Sequence, residues 1–200
     1  NPVHVGPGTD GQVLTSTGAG SPPAFENAAA GGAWNIIGTA VASASASLTI
    51  TGLDSTYDSY AIAIQGCIPA SDGVEAYIRL GDSSGIDSGG SDYHWGRYDA
   101  CGGCNNNTGD DAMLLLGGIS EGTGTGEGFG AMFFMNQPGD STIYPQIGGN
   151  WTGKDNDGTP RGGLSFGQRL ANITTDRVQL IMSSGNIASG RMTVWGIAHA

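Results

Sequence analysis

The segment that most narrows the choice of fold is Arg177 to Ile197, R-V-Q-L-I-M-S-S-G-N-I-A-S-G-R-M-T-V-W-G-I. Val178, Leu180 and Met182 alternate with Arg177, Gln179 and Ile181. Beyond Ser183-Ser184-Gly185-Asn186 and Ala188-Ser189-Gly190, Met192 and Val194 alternate with Arg191, Thr193 and Trp195. A period of two, broken by Gly, Asn and Ser, is the pattern of antiparallel strands with one buried face. The stretch reads as two strands joined by a polar turn. Such strands need earlier ones to pack against, so the domain closes here.

The same period recurs upstream. Val74, Ala76, Ile78 and Leu80 oppose Glu75, Tyr77 and Arg79; Tyr60, Ile62 and Ile64 share a face; Leu48 and Ile50 point inward and Thr49 and Thr51 outward. Trp34, Ile36 and Ile37 are expected as the first core contacts. The small-residue run Val41–Ser47 suits an edge strand or a close approach between subunits. Further strands are expected at Tyr93–Tyr98, Met113–Leu116, Phe129–Met135, Ile143–Ile147 and Leu164–Phe166, with Asn105–Asp111 as a loop. Gln168–Ile173 could form only a short helix. Gly makes 37 of 200 residues and charged residues 12%, against about 7% and ~25% in average domains. Disorder is the rival reading, but 38% apolar residues in register are enough to build a core. The fold class expected is all-β: an antiparallel β-sandwich, jelly-roll-like, over residues 34–200, preceded by a short extended segment over residues 1–33.

Eighteen acidic against seven basic side chains give a net charge of −11. A chain this acidic repels phosphate backbones, so nucleic acid is excluded as a partner. No apolar run approaches the ~20 residues of a spanning helix, and no signal-peptide pattern opens the chain, so no membrane insertion is expected. The chain starts Asn-Pro rather than with Met, as a fragment or processed product would.

Constellations with chemical meaning are few. Gly163-Leu-Ser165-Phe-Gly167 has the form of a nucleophile elbow, with Asp176 and His199 downstream. An elbow needs a buried parallel strand before Ser and a long helix after it, and the short spacing to Asp176 leaves no room for either. With no clustered catalytic pair, no enzyme and no cofactor are expected. Cys101-Gly-Gly-Cys104 could be half a zinc site, a local disulfide or free thiols, or could join Cys67 as a loop staple, with His94 as the other nearby ligand type. Asp155-Asn-Asp157-Gly158 resembles part of a calcium loop but fails the EF-hand pattern, and an Asx-rich turn is the competing reading. Gly122–Gly128 lacks the Lys-Ser/Thr of a phosphate-binding loop and reads as a flexible connection.

What remains is aromatics in polar surroundings. Tyr93, Trp95, Tyr98 and Trp151 lie in Gly/Asn/Asp-rich stretches with Arg97 among them. Such mixtures serve carbohydrate-binding and adaptable protein-binding surfaces. These five residues are the receptor-binding candidates, and a core role for each ring is the alternative.

Three stretches carry a resemblance: S-S-G-N-I-A-S-G-x-x-x-V-W-G (Ser183–Gly196), L-T-I-T-G-L-D-S-T-Y-D-S-Y (Leu48–Tyr60) and I-P-A-S-D-G-V-E-A-Y-I-R-L (Ile68–Leu80). Together they resemble tailed-bacteriophage structural proteins described as tail-fibre or virion proteins, over about Trp34 to Ile197. The N-terminal G-x-x-G-Q-V-L-T-S-x-G-A-G-x-x-P-x-F is similar to a short module of phage fibres, with Phe25 where that module often has Trp. The resemblance implies a virion protein made in the bacterial cytoplasm, with other virion proteins as partners. The expected role is a homotrimeric tail-fibre end that adheres to a host surface glycan or protein. On this reading three copies pair Val13, Leu14 and Phe25 around an axis; a flexible linker is the plainer alternative. The alternatives in function are a capsid decoration or head-fibre protein attached through its N-terminal segment, and a free carbohydrate-binding module.

Overall fold

The computed structural model describes residues 5–27, 33–100, 103–119, 127–140 and 142–198. The chain divides into two compact units, Asn1–Gly32 and Ala33–Ala200.

The first unit corrects the expectation of an extended segment. Gln12–Thr15 (β1) and Ala24–Asn27 (β2) pair as an antiparallel hairpin, with Leu14 opposite Phe25. Side chains hold the connection: Thr17 Oγ1 donates to the Pro22 carbonyl at 2.7 Å, and Thr15 Oγ1 donates to Glu26 at 2.8 Å. The Phe25 ring lies on Gly8, where a Cβ would stand 2.7 Å from it. Val13, Leu14 and Phe25 nevertheless remain 46, 56 and 37% exposed, so the hairpin leaves its apolar side chains largely uncovered.

The second unit is the antiparallel all-β sandwich that the alternation predicts. Its strands are Trp34–Val41 (β3), Ser47–Thr51 (β4), Ser59–Pro69 (β5), Val74–Asp82 (β6), Gly85–Ile86 (β7), Tyr93–Asp99 (β8) and Gly103–Asp110 (β9). Met113–Ile119 (β10), Phe129–Gln137 (β11), Gln146–Lys154 (β12), Pro160–Arg169 (β13), Arg177–Met182 (β14) and Ile187–Ile197 (β15) follow. One sheet has the order β10-β6-β14-β4, with β7 appended to β6; the other runs β3-β15-β5-β11-β12-β13-β8-β9. Among the described residues there is no helix, and the segment expected to be a short one instead continues β13 as far as Arg169.

Packing follows the pattern of two. Val74, Ala76, Ile78 and Leu80 from β6 and Val178, Leu180 and Met182 from β14 bury the inner face of the smaller sheet. Tyr60, Ile62, Ile64, Phe133, Met192 and Val194 meet them from the larger one. Burying apolar surface of this kind is the main favourable term in folding.

The two closing strands differ from the expectation in one respect. They do not pair with each other: β14 lies between β4 and β6, and β15 between β3 and β5, in the opposite sheet. The polar turn between them is thus a crossing from one layer to the other. It is pinned where Ile187 N donates to Ser45 O, Ala70 N to Asn186 O and Ser183 N to Glu75 O, each at 2.8 Å. At Gly190 the backbone takes φ +114° and a Cβ would stand 2.5 Å from Cys67 Cα, so only glycine fits.

The start of the domain also differs. Trp34 and Ile36 were expected inside, but they are 43 and 69% exposed and only Ile37 packs on the core. A register shift between Val194 and Trp195 places Gly38 opposite Val194 and Ile36 opposite Trp195, on the outer face. That face carries two cross-strand rows. One runs Gly96, Phe166, Gly148, Phe134, Ala61, Trp195, Ile36; the next runs Tyr98, Leu164, Asn150, Met132, Ala63, Thr193, Thr39.

Candidate functional site

Strands β8, β9, β12 and β13, with the end of β11, form a groove of about 450 Å³, within the usual range for ligand pockets. Its floor comes from register. His94 lies opposite Gln168 and Gln168 opposite Gln146, a row of three polar side chains across β8, β13 and β12. In the neighbouring row Phe166 stands between Gly96 and Gly148. These glycines give the ring its place, since a Cβ on Gly96 would lie 2.5 Å from Phe166 Cζ. Phe166 remains 61% exposed. Asn106, Asn107 and Thr108 of β9, Asn136 of β11 and Trp95 complete the wall.

Two of these groups are held in place by one carboxylate. Asp110 Oδ2 accepts Trp95 Nε1 at 2.9 Å and Asn107 Nδ2 at 3.0 Å, while Asn107 Oδ1 accepts Gly109 N at 3.2 Å. The lining has no carboxylate, ammonium or guanidinium, and His94 is its one imidazole. By register Asn106, Asn136, Gln146 and Gln168 share the outer face with the Phe166 ring, while Trp95, opposite Gly167, and Asn107, opposite Trp95, turn to the inner one. Four carboxamides beside one ring can exchange hydrogen bonds with hydroxyls while the ring face meets an apolar C–H face. No strong anion or cation can be paired here.

No family model, curated protein or solved structure matches the chain.

The receptor candidates read from sequence separate. Trp95 lines the groove and packs partly on the core. Tyr98 is on the outer face, half exposed, opposite Leu164. Tyr93 and Trp151 are corrected to core residues, at 0 and 2% exposure. The Tyr93 hydroxyl accepts from Leu80 N at 2.9 Å and faces the Leu80 and Asp87 carbonyls at the same distance. Burial raises its pKa above the ordinary tyrosine value. Arg97 is directed inward, with Nε and Nη1 buried and without partners. The stretch Asn105–Asp111, expected as a loop, is largely strand β9.

Among the described residues no group of three His, Cys, Asp or Glu side chains could hold a metal ion. Cys67 is buried and Cys104 exposed, both as free thiols. They lie on β5 and β9, with four strands between; at about 4.8 Å per strand the separation is roughly 24 Å, so no staple joins them. Burial pushes the Cys67 thiol up to about 11. Cys101 lies outside the described residues, as do His199 and most of Gly122–Gly128. Asp155 closes an Asx turn rather than a calcium loop. Its carboxylate accepts Arg161 Nε at 2.7 Å, Thr159 N at 2.8 Å and Asp157 N at 3.0 Å. Those bonds, the Arg161 one foremost, hold its pKa below the ordinary 3.8. Ser165 is buried in the middle of β13, and its hydroxyl donates to the Leu115 carbonyl, so it is not poised on an elbow.

Phe166, Gln146, Asn107 and Asn136 were missed. A signal was present in Gly163-Leu-Ser165-Phe-Gly167, where the small residues alternate with the large apolar ones. The small ones face inward because bulky neighbours already fill the space: Gly167 abuts Met113 and Gly163 abuts Trp151. Leu164 and Phe166 therefore point out.

Proposed function

We propose that this chain is a structural protein of a tailed-phage virion, a trimeric fibre end that adheres to the host by binding uncharged glycan in the groove of β8, β9, β12 and β13. The observation that carries the reading is the groove's lining: amides of Asn106, Asn136, Gln146 and Gln168 beside the Phe166 ring and the His94 imidazole, with no carboxylate, ammonium or guanidinium. Sugars present that combination of hydroxyls and C–H faces. The phage assignment rests on the sequence resemblance, and the exposed Val13, Leu14 and Phe25 of the hairpin support association of copies. A shallow site of this kind binds weakly, and three copies on one axis raise the strength by avidity.

The test is a glycan array probed with the full chain, followed by NMR titration of the best hit. Phe166→Ala and Gln168→Ala should each weaken binding roughly tenfold or more with circular dichroism unchanged. Binding that ignores both changes, or no glycan bound on arrays of bacterial envelope sugars, rejects the groove.

A further inference from the structure

The outer face of the eight-stranded sheet is unusual in two ways. Trp34, Ile36, Val41, Tyr98, Leu164 and Phe166 are between 43 and 69% exposed there. They are joined into one surface by Trp195 and Phe134: the Trp34 ring lies 6.0 Å from Trp195 and 5.9 Å from Phe134, centre to centre. With aromatic side chains of 150–250 Å², the six present roughly 600 Å². That is at the upper end for the largest apolar patch of a monomer and approaches the ~800 Å² each partner gives to a standard interface. The second peculiarity is charge. The chain has 18 acidic side chains, yet the two cross-strand rows through Ile36, Tyr98, Leu164 and Phe166 contain no Asp, Glu, Lys or Arg, and the charged residue of the adjoining row is a base, Arg191, opposite Val41 and bonded to Gln65.

We infer that this face is where copies of the chain pack on one another. Two chains of net charge −11 repel unless their acidic groups stay away from the contact, and this face keeps them away. A basic partner would instead be met by carboxylates, which the rows lack. Ile36, Val41 and Leu164 are outside the groove, so changes there test association apart from glycan binding; Phe166 belongs to both, and a copy seated over it competes with glycan.

Sedimentation velocity of the full chain decides it. The wild type should be multimeric at micromolar concentration, and more so at 0.5 M salt than at 0.05 M, since screening removes the repulsion and leaves the apolar contact. Ile36→Glu and Leu164→Glu should each weaken association roughly 100-fold or more while melting temperature holds, because both side chains are exposed in the single chain. Should either variant fail to fold, Ile36→Thr and Leu164→Ser give the same reading with a milder change. A wild type that stays monomeric at 100-fold higher concentration overturns the inference. Variants that associate as the wild type does overturn it too. A dimer rather than a trimer leaves it standing and rejects the three-fold arrangement instead.

Discussion

Replacing Tyr93 by Phe separates a structural ring from a receptor contact with the loss of one oxygen atom. The ring is buried on β8 of the larger sheet, and its hydroxyl reaches β6 of the smaller one, accepting from Leu80 N at 2.9 Å. Phe keeps the ring and its position 5.7 Å from the Arg169 guanidinium. It also leaves the Leu80 carbonyl satisfied, since Asp87 N donates there at 3.0 Å. What is lost is the partner of Leu80 N, which becomes a buried donor without an acceptor. Such a group costs about 1–3 kcal/mol. In a domain of this size that lowers the melting temperature by roughly 3–10 °C. Urea denaturation should show a lower midpoint with the slope unchanged, and the glycan titration should be unaltered. An unchanged midpoint with weakened glycan binding would refute the tether and restore Tyr93 to the surface.

Further outcomes follow from the same geometry. Asp155 has a folded pKa held below its unfolded value, so its contribution is present at neutral pH and lost as pH falls through the folded value, below about pH 4. Asp155→Asn should therefore melt lower at pH 7 and differ less from wild type at pH 3; an equal gap at both pH values contradicts the assignment. Because that carboxylate is already occupied by Arg161 and two backbone amides, a chelator should shift the melting temperature by no more than about 1 °C, measured by calorimetry. Native alkylation read by mass spectrometry should modify Cys104 within minutes and Cys67 only after denaturation. Gly149→Ala would put a Cβ 2.1 Å from the Met132 carbonyl and 2.6 Å from Phe133 Cα; insoluble or strongly destabilised protein is expected, and a wild-type melting curve would contradict the packing.

How far the sequence discloses the fold depends on whether one face of a strand is buried by neighbours of ordinary size. In β6 and β14 it is, and alternation identifies Ile78, Leu80, Val178 and Leu180 as core. Tyr93 and Trp151 became receptor candidates because of polar flanks such as His94, Asn150 and Thr152, although a strand was expected over Tyr93–Tyr98. In an alternating strand those flanks instead belong to the opposite face, and a lone aromatic between them is the inward residue. Trp34 and Ile36 were misplaced because one register shift opposite Val194 and Trp195 turns the strand, and nothing local to Trp34 announces it. The groove was visible only in part, through Trp95. Its amides come from four strands whose order in the sheet is set by non-local pairing, and spacing along the chain does not reveal that order.

The layer crossing between β14 and β15 has a consequence for how the domain comes into being. Each sheet has an interior position that one of these two strands occupies, and both follow all the other strands of the domain in the chain. Until Arg177–Ile197 has left the ribosome, β4 and β6 lack their shared neighbour, as do β3 and β5. The partners are also remote: the hydroxyls of Thr39 and Thr193, 3.0 Å apart, belong to residues 154 positions apart in sequence. Closure of such long loops slows folding and leaves strand edges open to other chains in the meantime. A nascent chain waiting for its last strands is most exposed to mispairing, and a second nascent chain able to supply the same strand is its most direct route to a domain-swapped product.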